Sequence, residues 1–208
     1  MKKRKQSGFS IMEVLVAVVI LAVVAGGLFL ILSTGRAAWY TADVTIQLRQ
    51  NLRHTVERVV AELRQTQTAQ QQVIEGGGVG STDAIRFSIP VVCSTTASVI
   101  DASGDVAYWG APLTWGCAQP SCMDADDDCG TVDYKFIEYL VDNSNQLVRR
   151  VLDGGTSLVR QDVFAQNITD FQVTETGNGI QIQATTEQAT TMNRVLTART
   201  SMNVYLRN

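Results

Sequence analysis

Few residues of this chain could do chemistry by type. Four cysteines stand at Cys93, Cys117, Cys122 and Cys129, alternate aspartates at Asp124, Asp126 and Asp128, and the one histidine at His54. Four residues separate Cys117 from Cys122 and six separate Cys122 from Cys129, so the C-x₂-C pairs expected of a zinc site are missing. In an oxidising compartment the four cysteines read instead as one or two disulfides, with three full pairings open. The aspartates follow the opening of a calcium-binding EF-hand loop, but the match then fails. Cys129 takes the place of the required glycine, Gly130 comes one residue late, and Lys135 falls where the bidentate glutamate belongs. Two readings stay open: a solvated acidic turn, or a calcium site of another kind, since crowded carboxylates repel unless something neutralises them.

Catalytic signatures are missing. There is no H-E-x-x-H, G-x-S-x-G or C-x-x-C, and "EGGGVG" (75–80) lacks the Lys-Ser/Thr of a phosphate loop. His54 lies on the polar side of a predicted helix and reads as a surface residue. The sequence thus predicts neither an enzyme nor a firm cofactor.

Glu13 poses a different chemical question. It stands near the start of "GFSIMEVLVAVVILAVVAGGLFLIL" (8–32), which is otherwise uncharged. A carboxylate at the centre of a bilayer costs about 2.5–3.5 kcal/mol on insertion scales, so such residues tend to be functional; the other reading is that Glu13 merely sits at the lipid headgroup level. Residues 14–32 alone give roughly 28 Å of helix, enough to cross a hydrocarbon core. Lys2, Lys3, Arg4 and Lys5 precede this stretch and the next basic residue is Arg36. Flanking basic charge stays cytoplasmic, which predicts a cytoplasmic N-terminus, one membrane span and an exported C-terminal region.

A secretory signal would end in a small-residue cleavage site after the apolar run; "STGRAAWY" is a poor one. Here Gly8 instead separates the basic head from the apolar Phe9. "KQSGFSIMEVLVAVVIL" closely resembles the class III leader of type IV prepilins and pseudopilins. The resemblance implies that a prepilin peptidase cuts between Gly8 and Phe9 and N-methylates Phe9, the apolar segment staying in the mature protein. It also implies an assembly role for Glu13, pairing with the terminal ammonium of a neighbouring subunit. On a helix, residues 9 and 13 share a face, and a buried carboxylate is tolerable with a cation in reach. Loss of the leader takes four of the 17 basic residues and leaves 13 against 20 acidic ones, a formal charge near −7. That gives no basic footprint for nucleic acid.

Past the membrane the helical period continues. Val44, Leu48, Leu52, Val56, Val59 and Leu63 make one apolar stripe, while Arg49, Arg53, Glu57, Arg58 and Glu62 fill the other faces. Arg53/Glu57 and Arg58/Glu62 have the spacing of i,i+4 ion pairs. The pattern predicts a helix from about Ser10 to about Gln72, weakest at Gly26 and Gly27, ended by "EGGGVG". Alternating stretches at 84–92, 131–141, 146–152, 157–175, 179–187 and 194–208 predict strands, with "DNSN" (142–145) as a hairpin turn. The fold class expected is α+β: a long N-terminal helix packed on an antiparallel β-sheet domain. The organisation expected is a cleaved leader (1–8), a transmembrane and assembly helix (9–34), its amphipathic exported half (35–73), and a β-rich domain (80–208). A cysteine-containing loop (93–130), too long for an ordinary connection, interrupts that domain. Trp109 and Trp115 in it are either core anchors or exposed contacts.

The β-rich half is similar to minor pilins of the PilW type and to the J-class minor pseudopilin of type II secretion, through "YKFIEYLVDNSNQLVRRVLDGGTSLVRQDVFAQNITDFQV" and "RVLTARTSMNVYLRN". These resemblances imply an assembly subunit that primes or caps a fibre near its tip. Its partners would be other minor and major pilins or pseudopilins, the prepilin peptidase and the inner-membrane assembly platform. It would reside in the inner membrane, its C-terminal domain periplasmic, and later in a periplasmic or extracellular fibre. The reading from another class is an adhesin or ligand-binding module displayed through the 93–130 loop.

Overall fold

The computed structural model describes residues 10–123, 132–177, 179–190 and 194–206. The first described element is a long α-helix, α1 (Ile11–Leu63). Among the described residues ten strands follow: β1 (Gln71–Ile74), β2 (Ala84–Phe87), β3 (Ile89–Pro90), β4 (Trp109–Gly110), β5 (Phe136–Val141), β6 (Leu147–Leu152), β7 (Leu158–Ala165), β8 (Ile168–Thr176), β9 (Gly179–Ala189) and β10 (Val195–Tyr205). They form a five-stranded sheet in the order β1-β2-β5-β6-β7, a three-stranded sheet β10-β9-β8 and the short pair β3-β4. The pairings between neighbouring strands are antiparallel. The class is α+β, as expected.

The chain divides into two units, residues 1–44 and residues 45–208. In the first, α1 runs unbroken through Gly26 and Gly27, and its apolar side chains from Ile11 to Leu32 are exposed. This part of α1 is long and apolar enough to cross a membrane.

In the second unit the expected stripe is the buried one: Leu48, Leu52, Val56, Val59 and Leu63 are in the core. The five-stranded sheet contributes Ile85, Phe87, Ile137, Tyr139, Arg149 and Val151, which the register places on one face. Ala84, Leu140 and Val148 form a smaller apolar cluster on the other, with Ile74 against it. Asp83 stitches the two larger sheets together. Its N–H donates to the Phe171 carbonyl (2.8 Å), and its carboxylate accepts from the N–H groups of Gly76 (3.2 Å) and Val173 (2.9 Å).

The helix stops at Leu63, earlier than the predicted end near Gln72. The N–H groups of Gln65 and Thr66 bond three residues back, to Glu62 and Leu63, a tightened last turn. Gln71–Ile74 then leave the helix to add an edge strand on β2. A run of glutamines and threonines has no apolar stripe to hold a helix to the core, and β pairing prevails.

Among the described residues three turns share one design. Asp101, Asp142 and Asp153 each accept two backbone N–H groups on Oδ1 or close the turn through their own backbone. The residue three places on sits at positive φ: Gly104, Asn145 and Thr156. An aspartate that bonds its own turn, followed by a left-handed residue, is the chemistry that closes such loops. "DNSN" is one of the three, as predicted.

Candidate functional site

Glu13 lies in the first turn of α1. The carbonyl of Ser10 accepts the N–H groups of Glu13 (3.0 Å) and Val14 (3.2 Å), so Ser10 opens the helix. Serine followed three residues later by glutamate is the spacing of a capping box. A carboxylate there also faces the positive end of the helix dipole. Glu13 thus stands where a carboxylate suits the start of a helix. Gly8 and Phe9 lie outside the described residues.

The second polar cluster is one that sequence reasoning misplaced. Glu62, expected on an outer face and paired with Arg58, is only 4% exposed, and Arg149 is wholly buried. The Arg149 side chain donates from Nε to both Glu62 oxygens (3.2 and 3.1 Å) and from Nη2 to Oε1 (3.0 Å). Nη2 also donates to the Pro112 carbonyl (2.8 Å). Tyr139 completes the cluster, its hydroxyl donating to Glu62 Oε2 (2.8 Å). Burial, and then the neighbouring Glu62 charge, push the Tyr139 phenol well above its ordinary range. One carboxylate thus joins the last turn of α1, the neighbouring strands β5 and β6, and the loop before the disulfide. The sequence signal was faint: a glutamate one place before the final apolar residue of the stripe.

Arg58, released from Glu62, lies over the rings of Trp115 (5.3 Å) and Phe164 (6.0 Å) instead. Guanidinium over an aromatic face is a favourable arrangement. The other predicted pair forms, Arg53 Nε to Glu57 Oε1 at 2.7 Å, and this hydrogen bond holds the Glu57 carboxyl below its ordinary value. His54 is on the surface, as expected, 3.4 Å from Glu57. On the opposite face of the sheet, Glu138 is buried and takes Arg86 at 2.7 Å and Arg150 at 3.9 Å, a cross-strand triplet.

Cys117 and Cys122 form a disulfide, and Cys93 is disulfide-bonded as well. The partner of Cys93 and the residues Cys129, Asp124, Asp126 and Asp128 lie outside the described residues. The tryptophans of the loop divide: Trp109 is half-buried in β4, and Trp115 is 41% exposed beside the Cys117–Cys122 bridge. Gly110, next to Trp109, admits no side chain, because a Cβ there would lie 2.8 Å from the Tyr134 carbonyl. Among the described residues no group of three or more His, Cys, Asp or Glu side chains is placed to hold a metal ion.

Comparison with known proteins adds one match. The family model described as "Prokaryotic N-terminal methylation motif" matches residues 3–29, a span that contains Gly8, Phe9 and Glu13. No curated protein and no solved structure matches the chain.

Proposed function

Proceeding from a chain that carries the N-terminal methylation motif of the type IV pilin and pseudopilin family, we propose that it is a minor pilin, a structural subunit that primes or caps a pilus near the tip. The observation that carries the reading is the order of residues within the motif. A glycine stands at the cut, an apolar residue follows it, a glutamate comes four residues further on, and a charge-free helix is left for the mature protein to keep. In this reading the prepilin peptidase removes residues 1–8 and methylates the amine of Phe9. The chain then waits in the inner membrane with its β domain in the periplasm. The helix next leaves the bilayer to pack among those of other subunits, and the Glu13 carboxylate attracts the ammonium of a neighbour. Pilin-like proteins are structural, and a non-catalytic role for this chain is part of the proposal.

The same observation serves a J-class minor pseudopilin of type II secretion, whose neighbours would be pseudopilins. The flanking genes decide between the two machines. A display role finds specific support in Val99, Ile100 and Trp115, which are exposed on the cysteine-containing segment; it would be favoured if deleting 93–130 spared fibres and abolished attachment.

Mass analysis of the N-terminus of the membrane-extracted protein tests the central claim. The expected start is Phe9 with a methylated amine. A chain that begins after Leu32, or retains Met1, overturns it.

A further inference from the structure

The first unit of the chain holds an aromatic pair that the family motif does not cover. Trp39 is 80% exposed and Tyr40 48% exposed. With Arg36 they occupy positions i, i+3 and i+4 of α1, so the three side chains share one face. Tryptophan and tyrosine concentrate at the membrane–water boundary, where an apolar ring and a polar tip are both accommodated. Arginine beside them extends its charge to the headgroups while its stem remains in the apolar layer.

The segment between Leu32 and Arg36 fits the apolar side of that boundary. Ser33 Oγ donates to the Leu30 carbonyl at 3.0 Å, and Thr34 Oγ1 donates to the carbonyls of Leu30 and Ile31. Hydroxyls satisfied by their own helix enter lipid at little cost. The charge-free layer therefore extends from Val14 to Gly35. That is about 33 Å of helix, or about 31 Å at an ordinary tilt near 20°, against a hydrocarbon core of about 30 Å. From Glu13 to Trp39 the helix rises about 39 Å, or about 37 Å at the same tilt, which carries both residues past a core of about 30 Å into the headgroup layers.

We propose that Arg36, Trp39 and Tyr40 are a lipid-headgroup anchor that fixes the depth of α1, and that this depth sets Glu13 in the headgroup layer of the opposite face. The inference rests on the membrane-anchor reading and adds a register to it. In the membrane-resident subunit Glu13 is hydrated and its charge carries little penalty. The carboxylate meets a low dielectric only when the helix leaves the bilayer, so its attraction to a neighbour's ammonium strengthens at the moment of assembly.

The full chain in phosphatidylcholine/phosphatidylglycerol vesicles tests both ends. With bromine placed shallow or deep on the acyl chains, the fluorescence that disappears in Trp39→Phe should be quenched at least about twofold more by the shallow label. In vesicles opened by an added pore, an impermeant maleimide should react with Glu13→Cys at least about tenfold faster than with Ala25→Cys, which lies mid-membrane. Preferential deep quenching, or none, overturns the aromatic anchor. Protection of the Glu13→Cys thiol equal to that of Ala25→Cys, in a chain that resists alkaline carbonate, overturns the register while the membrane anchor stands. Release of the chain by carbonate overturns the membrane anchor and the register with it.

Discussion

The guanidinium of Arg149 meets the carboxylate of Glu62 side-on, Nε and Nη2 together spanning both oxygens at 3.0–3.2 Å, with both residues buried. A buried ion pair contributes little over an apolar pair of the same shape, because desolvation offsets the attraction. Breaking it is another matter. Arg149→Ala leaves the Glu62 charge buried with only Tyr139 to bond it and frees the Pro112 carbonyl. The variant should lose about 3–5 kcal/mol. Glu62→Leu combined with Arg149→Met and Tyr139→Phe should lose far less than the separate changes summed. Denaturant unfolding of the detergent-solubilised chain measures both. A single Arg149→Ala variant as stable as wild type would show that water reaches this cluster.

Tyr139 gives a pH dependence of known sign. Its folded pKa is raised, so the folded state holds the phenolic proton to higher pH than the unfolded chain does. The stability it contributes is full below the ordinary phenol range and is lost as pH rises from there toward the folded value. Wild type should therefore destabilise more steeply above about pH 10 than Tyr139→Phe does. Identical alkaline limbs would mean that the hydroxyl is not held by the Glu62 carboxylate in solution.

Non-reducing peptide mapping should recover Cys117 linked to Cys122. With that pair made, Cys129 is the one partner the sequence leaves for Cys93, and a Cys93–Cys129 peptide is the expected second product. Cys117→Ser with Cys122→Ser should destabilise the chain by about 2 kcal/mol, the loop-closure value for so short a ring. Recovery of Cys117 joined to Cys93 would contradict the assignment.

Glu13→Gln separates charge from capping. Glutamine fills the same place in a capping box, so α1 should begin at the same residue and the helix content should not change. The remaining apolar segment spans unaided, so membrane insertion and cleavage should proceed normally. What the variant lacks is the negative charge, and its recovery in fibres or with partner subunits should fall severalfold. Normal incorporation would show that the carboxylate charge is not needed for assembly.

The α+β class, the apolar stripe of α1 and most strand positions were legible because they rest on periodicity. The stripe from Leu48 to Leu63 is the buried face, and strands β5 to β10 lie on the predicted stretches, with β8 and β9 running one and two residues past them. Glu62 was not legible, since helical spacing offered Arg58 as its partner, whereas the actual one is 87 residues away on β6. Local rules pair charges along a helix and are silent on pairs made by folding. Gln71–Ile74 failed for the converse reason: its composition favours no state strongly, and the edge of β2 decided. At the N-terminus the functional signal is linear, carried by residue order within a short motif. That is why the motif at residues 3–29 was legible without a fold, and the place of Arg149 was not.

The position of Glu62 in the last turn of α1 has a mechanical consequence. A subunit pulled through its helix would transmit tension to the β domain partly across the bonds from Arg149 and Tyr139 to this one carboxylate. They converge on a single side chain, so a displacement of Glu62 strains all of them. A row of bonds loaded end-on would instead give way one at a time. Resistance to force is governed by the rate of unfolding, not by equilibrium stability. A cluster that adds little free energy over an apolar core can still raise that resistance.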